Sequence, residues 1–158
     1  MDDELPEGYE ICTDPARLDA ALVHTWLSKD AYWAVGRPRE KQDRAIATSL
    51  NFGVYEAAGD EAAGDEPAGD EAAGGAQVGY ARVVTDESTF AWLCDVYIAP
   101  EARGRGLGTA LVAAIRDHLA PFGLRRILLA TADAHGVYAK VGFEPLAMPE
   151  KWMAFGEQ

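Results

Sequence analysis

At 158 residues, about half of them apolar, the chain is long enough for one domain with a sizeable buried core. A formal net charge of −12 argues against general nucleic-acid binding, which rests on basic surface. There is no run of 18 apolar residues, the first residues are acidic, and the two cysteines, Cys12 and Cys94, show no metal spacing. The expectation is therefore a soluble cytoplasmic protein with no signal peptide, no metal site and two buried free thiols.

In chain order, Tyr9 to Cys12 reads as a first strand. Asp14-Pro15 then supplies an N-cap and a first helical position for a helix reaching about Trp26 or Leu27, with Leu18, Ala21, Leu22 and Trp26 on one face. The segment from Ser28 to Pro38 is unusually aromatic. Pro38 opens a second helix expected to run to about Leu50, with Ala45, Ile46 and Leu50 inward and Arg39, Glu40, Lys41 and Asp43 forming a solvated face. Phe52 to Glu56 is a short strand. Composition then changes sharply. The five-residue unit Ala57-Ala58-Gly59-Asp60-Glu61 occurs three times, with Pro67 replacing one alanine, and trails off at Ala76. The period is too short for a solenoid unit, and six acids with no large apolar residue cannot bury enough to offset chain entropy. Residues 57–76 are expected to be a disordered acidic insertion in a hairpin loop, tolerated because closure entropy grows slowly with length.

Gln77 to Val84 is the next strand. Thr85 to Thr89 turns the chain, and Trp92 to Ile98 returns antiparallel until Pro100, which has no N–H for a ladder. Leu107, Leu111, Ala114, Ile115 and Leu119 recur at helical spacing, so a helix starts near Gly106 or Leu107 and ends near Leu119. A turn at Pro121-Phe122-Gly123 leads to an aliphatic buried strand, Arg125 to Ala130. Asp133 is the expected N-cap of a short helix over Ala134 to Val141, with Gly142 at its C′ position. A final strand near Trp152 to Phe155 is expected to close the sheet.

The chemistry concentrates between Ile98 and Thr109. Gly104, Gly106 and Gly108 let backbone N–H groups approach a ligand with no Cβ in the way. The helix N-terminus adds unpaired N–H groups and partial positive charge, and Arg103 and Arg105 add two full charges. This is an anion site, suited to a pyrophosphate. The loop lacks the Gly-Lys-Ser/Thr ending of a P-loop and the following acidic residue of a dinucleotide fold. An ordinary strand-to-helix turn with solvated arginines, or an unrelated nucleotide site, remains open on these residues alone.

Arg103-x-x-Gly106-x-Gly108, directly after a strand ending Ile98-Ala99-Pro100-Glu101, resembles the acetyl-CoA pyrophosphate loop of the GNAT family, the Gcn5-related N-acetyltransferases. Downstream, Tyr138-Ala139-Lys140-Val141-Gly142-Phe143 resembles that family's Tyr-x-x-x-Gly-Phe segment. The likeness covers residues 77 to 145. It implies a mixed, mostly antiparallel twisted α/β sheet in a single domain, with about four helices and a splayed central strand pair. It implies acetyl transfer from acetyl-CoA to a primary amine by direct attack on the thioester. The implied cofactor-binding residues are Val96, Tyr97, Ile98, Arg103, Gly104, Arg105, Gly106, Leu107, Gly108, Thr109 and Thr131, with Tyr138 as general acid. Thr131 stands where many members carry asparagine. A backbone N–H near Val96 or Tyr97 would polarise the thioester oxygen. A tyrosine pKa of about 10 keeps such a donor protonated at neutral pH. Trp26, Tyr32, Trp33 and Arg37 either contact the acceptor or cap the core. Asp95, His24, His135 and water all stay open as the base. The implied acceptor is a small-molecule amine, with a protein amine as the other possibility, and a homodimer follows from family habit alone. A non-catalytic acyl-CoA-binding or sensing module is the alternative from another class.

Overall fold

The computed structural model describes residues 3–57 and 75–157. Apart from Ala57, Gly75 and Ala76, the acidic repeat lies outside the described residues. Five strands form one sheet in chain order: β1 (Tyr9–Cys12), β2 (Leu50–Glu56), β3 (Gln77–Thr85), β4 (Phe90–Ile98) and β5 (Arg126–Leu128). All neighbours pair antiparallel except β4 and β5. A parallel pair needs a crossover, and helix α3 (Leu107–Leu119) supplies it. Helices α1 (Ala20–Asp30), α2 (Arg39–Ala47) and α4 (His135–Lys140) complete the set.

Strand alternation sends side chains to two faces. On one face, Phe52, Val54, Val83 and Leu93 pack with Leu107, Leu111, Val112 and Ile115 of α3, all essentially inaccessible. On the other, Tyr80 and Tyr97 pack with Val23, Leu27, Ala31 and Ala34 from α1 and the segment after it. The sheet is thus the middle of three layers. The Tyr80 hydroxyl donates to the Asn51 side chain inside this smaller cluster.

Several element ends differ from the sequence reading. Asp14 caps only a 3-10 turn over Pro15–Arg17, by accepting from the Ala16 N–H at 2.9 Å. Asp19 caps α1 through the Leu22 N–H at 3.0 Å. Helix α2 stops at Ala47, where the Thr48 hydroxyl donates to the Arg44 carbonyl at 2.9 Å, and Leu50 already belongs to β2. Ahead of α4, the N-cap position is Ala134 rather than Asp133. The Thr131 hydroxyl oxygen accepts from the Ala134 N–H at 3.0 Å and from the Asp133 N–H at 3.3 Å. Cys12 and Cys94 are free thiols, but only half-buried.

The final strand near Trp152 to Phe155 does not form. Pro149–Lys151 makes a 3-10 turn, and the apolar residues after it find no ladder, leaving Met153 and Phe155 fully exposed. Trp152 lies under the Arg126 guanidinium instead, 5.2 Å from charge to ring.

The expected Arg125–Ala130 strand shortens to three residues because β4 and β5 part company. Their ladder holds only Phe90↔Arg126, Ala91↔Ile127 and Trp92↔Leu128. Beyond Trp92, β4 follows β3 alone and bulges. The register moves from Arg82↔Cys94 to Tyr80↔Tyr97, and Asp95 takes the left-handed conformation, φ 55°. The splayed pair expected from the sequence is this opening, but because the final strand does not form, β5 is an edge strand and the pair is not central. Among the described residues, no helix is long and apolar enough to cross a membrane, and no group of His, Cys, Asp or Glu is arranged to hold a metal ion.

Candidate active site

The opening leaves one edge of β4 without a partner strand. The Ala99 N–H donates to the Val78 carbonyl at 2.8 Å, so alternation turns the Tyr97 N–H toward β3 and the Val96 and Ile98 N–H groups toward the opening. A cavity of 520 Å³ lies along this edge. Val96, Tyr97, Ile98, Arg103, Gly104, Gly106, Leu107, Gly108 and Thr109 line it, joined by Asp30, Tyr32, Trp33 and Tyr138.

The far end of this cavity is a cradle of backbone N–H groups. Gly104 and Gly106 both have φ 81°, a left-handed conformation that β-carbon-bearing residues adopt only at a cost. Gly106 is the N-cap of α3 and offers no side chain to close it. The Ala110 N–H is the first to reach a helical acceptor, the Gly106 carbonyl at 3.1 Å. Among the described residues, no backbone carbonyl accepts from Leu107, Gly108 or Thr109. Three unpaired donors at the positive end of a 13-residue helix suit an anion. Gly108 is different: a Cβ there would meet only Ile98 at 3.9 Å, so the fold itself does not require glycine.

The two loop arginines are held differently. Arg103 donates from Nε to the Ile98 carbonyl at 2.8 Å and from Nη2 to Asp30 at 3.2 Å, with its charge 5.1 Å from the Tyr97 ring. Asp30 also accepts from the Tyr97 hydroxyl at 2.5 Å, and these two hydrogen bonds hold its carboxyl below the usual range. Arg105 reaches the Tyr9 hydroxyl, outside the cavity lining. Of the residues expected to bind cofactor, Arg105 and Thr131 are the two that do not line this cavity.

A second cavity of 370 Å³ adjoins the first and shares Tyr32, Trp33, Val96 and Tyr138 with it. Its floor is a side-chain cluster around Asp95, which is 3% exposed. The Asp95 carboxylate accepts from Trp33 Nε1 (2.9 Å), from both terminal nitrogens of Arg37 (2.9 and 3.3 Å) and from Arg82 Nε (2.9 Å). Burial alone would raise the Asp95 pKa. The Arg37 hydrogen bonds and the Arg82 charge outweigh burial and leave it lowered. Arg37 also donates to Gln42 and Arg82 to Ser49, both neutral acceptors. Beside the cluster, burial pushes the Cys94 thiol up to about 11.

Tyr138 stands where the two cavities meet. Helix α4 places it there, and the Phe143 ring packs against its edge at 6.0 Å. Burial pushes its phenol up to about 12, with smaller contributions from Tyr32 and Asp133. The Tyr32 hydroxyl accepts from the Ala132 N–H at 2.9 Å, tying the aromatic segment to the turn before α4.

Of the aromatic candidates, Tyr32 and Trp33 line both cavities, whereas Trp26 stacks on Tyr97 at 5.4 Å in the smaller core cluster. His24 Nε2 lies 2.7 Å from the Arg37 carbonyl and so positions that residue. His135 is exposed and lines a third cavity of 400 Å³ beside β5. Asp30 and Arg82 join the site beyond the residues that the sequence pattern points to. For Arg82 a signal existed, a cation inside an otherwise apolar strand; for Asp30, at a helix end, there was none.

The chain is thus an α/β protein whose sheet opens between β4 and the edge strand β5, with a cradle of helix-initial N–H groups after β4 and Tyr138 at the gap. The family model for "Acetyltransferase (GNAT) family" matches residues 22–143. The chain belongs to the GNAT acetyltransferase family. It is 34% identical over 135 residues to FG08082 of Gibberella zeae, a protein assigned as an acetyltransferase, covering 84% of this chain and 76% of the other. A crystal structure from Xanthomonas campestris pv. campestris, assigned to the same family, is 40% identical with a TM-score of 0.79, over 97% of this chain and 95% of that one. N-acetylglutamate synthase from Neisseria gonorrhoeae, solved with coenzyme A and N-acetyl-glutamate, shares the fold at 17% identity and a TM-score of 0.63, over 92% of this chain and 30% of its own.

Proposed function

We propose that the protein is an acetyl-CoA-dependent N-acetyltransferase that acetylates a primary amine by direct attack on the thioester. The observation that carries this reading is the meeting of two cavities at Tyr138, one ending in an anion cradle and the other lined by side chains. Bound acetyl-CoA supplies an activated acyl group. The unpaired N–H groups of Leu107, Gly108 and Thr109 suit its pyrophosphate, and the free edge of β4 at Val96 and Ile98 suits an extended pantetheine, added as a strand would be. The Val96 N–H is the donor for the thioester oxygen, because alternation commits the Tyr97 N–H to β3.

The amine nitrogen forms its bond to the acyl carbon as the carbon–sulfur bond breaks. Tyr138 gives its phenolic proton to the departing sulfur and is reprotonated from solvent. A phenol pushed up to about 12 stays protonated throughout the neutral range. The proton leaving the amine goes to water. Asp95 is an unsuitable base because four donors already occupy its oxygens, and neither His24 nor His135 lines the second cavity.

Thermal unfolding with acetyl-CoA, CoA, ATP and NAD in parallel tests this reading, since a ligand of the folded state raises the melting temperature. The expected result is a clear rise with acetyl-CoA and CoA, reduced in Arg103→Ala/Arg105→Ala. A rise with ATP or NAD and none with either CoA species would return the loop to a general phosphate site.

A further inference from the structure

The second cavity is rich in hydrogen-bond donors and poor in acceptors. Arg37 and Arg82 bring two permanent positive charges, with side chains 17% and 15% exposed, and share the single negative charge of Asp95. That carboxylate is filled by its four donors, and the remaining protein partners of the two guanidiniums, Gln42 and Ser49, are neutral. One positive charge is therefore left in a recessed site without a counter-ion. The only other carboxylate lining this cavity among the described residues is that of Asp133, which is exposed and also borders the first cavity. The site is thus cationic at its floor and anionic at its mouth, beside Tyr138.

We propose that the acceptor is an amino acid or a close amino-carboxylate. Its carboxylate is held over Arg37 and Arg82, and its ammonium meets Asp133 before deprotonation and attack at the opening. This rests on the acetyltransferase reading and names its substrate class. Guanidinium forks match carboxylate geometry, and a recessed charge gains most from a fixed partner. Trp33 and Trp92, both part-exposed on this cavity, provide an apolar wall for the acceptor's side chain. The 370 Å³ volume lies near the small end of ligand pockets, about 300–1,000 Å³. The protein's overall negative charge alone would favour polyamines; the local excess of guanidinium runs against that.

The test is a thiol-release assay with acetyl-CoA against the twenty common L-amino acids, their carboxamides, spermidine and tyramine. For the best acceptor, the free acid should exceed its carboxamide in kcat/KM by about tenfold or more, as expected when a built polar site loses its partner. Arg37→Gln should raise KM for the acid by a similar factor and so collapse the preference for acid over carboxamide, while leaving KM for acetyl-CoA unchanged. Asp95 keeps Arg82 in that variant, so its charge stays paired. A parallel thermal series on the CoA-saturated protein should show stabilisation by the acid and not by its amide. Spermidine, tyramine or a carboxamide as the best acceptor overturns the proposal. So does a CoA-bound protein that acid and amide stabilise equally, or that neither stabilises. Failure to bind acetyl-CoA at all would instead remove the acetyltransferase reading beneath it.

Discussion

The two cavities that meet at Tyr138 are built from different material. The first is made of backbone: unpaired N–H groups at the start of α3, two left-handed glycines and the free edge of β4. Its arginines brace the loop, Arg103 onto Ile98 and Asp30, Arg105 onto Tyr9. The second is made of side chains drawn from five separate segments, with Trp33 and Arg37 before α2, Arg82 on β3, Asp95 on β4, Asp133 in the turn before α4 and Tyr138 on α4. A backbone site tolerates most substitutions that preserve its conformation. A side-chain site changes character with each residue. One cavity thus depends on backbone conformation and the other on the identity of each residue that lines it.

That contrast can be broken most severely at the junction. Tyr138→Phe removes the proposed general acid without disturbing either cavity, and should lower kcat by about 10²–10⁴-fold with KM for acetyl-CoA nearly unchanged. In the unaltered protein kcat should rise as the acceptor amine deprotonates, and a donor pushed up to about 12 should postpone any alkaline loss until pH approaches that value. A fall centred near 10 would show that an ordinary phenol or another group is being observed.

Next in size is Asp95→Asn. It leaves Arg37 and Arg82 facing each other without their shared carboxylate, and should cost about 3–5 kcal/mol in denaturant unfolding, the usual penalty for breaking a buried ion pair. Because the native pKa of Asp95 is lowered, this contribution is fully present above the unfolded value of about 3.9 and disappears as pH falls through the native one. The variant should therefore show a shallower acid dependence. A loss under about 1 kcal/mol would mean the cluster is wet and the guanidiniums already solvated.

The smallest expected effect tests the backbone side. Gly106→Ala meets no atom within 4 Å, so its cost is conformational alone, about 1–2 kcal/mol for an alanine at φ 81°. It should weaken acetyl-CoA binding, measured by calorimetry, more than it changes acceptor KM. Equal effects on both would mean that the cavities do not act independently.

How much of this was legible in the sequence follows the same division. The backbone site is local, and its ingredients lie within a dozen residues, so Gly106 and Leu107 marked the start of α3 correctly. The Asp95 cluster joins residues 58 and 13 positions apart, and no local pattern announces that Arg37 and Arg82 share a carboxylate. Edges failed for a related reason. Trp152 to Phe155 has strand composition, but a strand exists only against a partner, and that segment finds none. Likewise Leu129 and Ala130 are apolar enough for a strand but lie past the point where β4 turns away. Competition between nearby cap residues explains the helix errors: Asp14 and Asp19 are both competent, and only the 3-10 turn between them decides which one opens α1.

The left-handed bulge at Asp95 has a consequence for how this architecture can vary. One extra residue in β4 both swings the Asp95 carboxylate into the arginine pair and frees the strand's outer edge at Val96. Deleting a residue there would shift the register and, in one step, turn Asp95 away from the arginine pair and reverse which N–H groups of β4 face the opening. The two chambers therefore hang from one kink: single substitutions alter the walls of the second, whereas loss of the kink alters both at once.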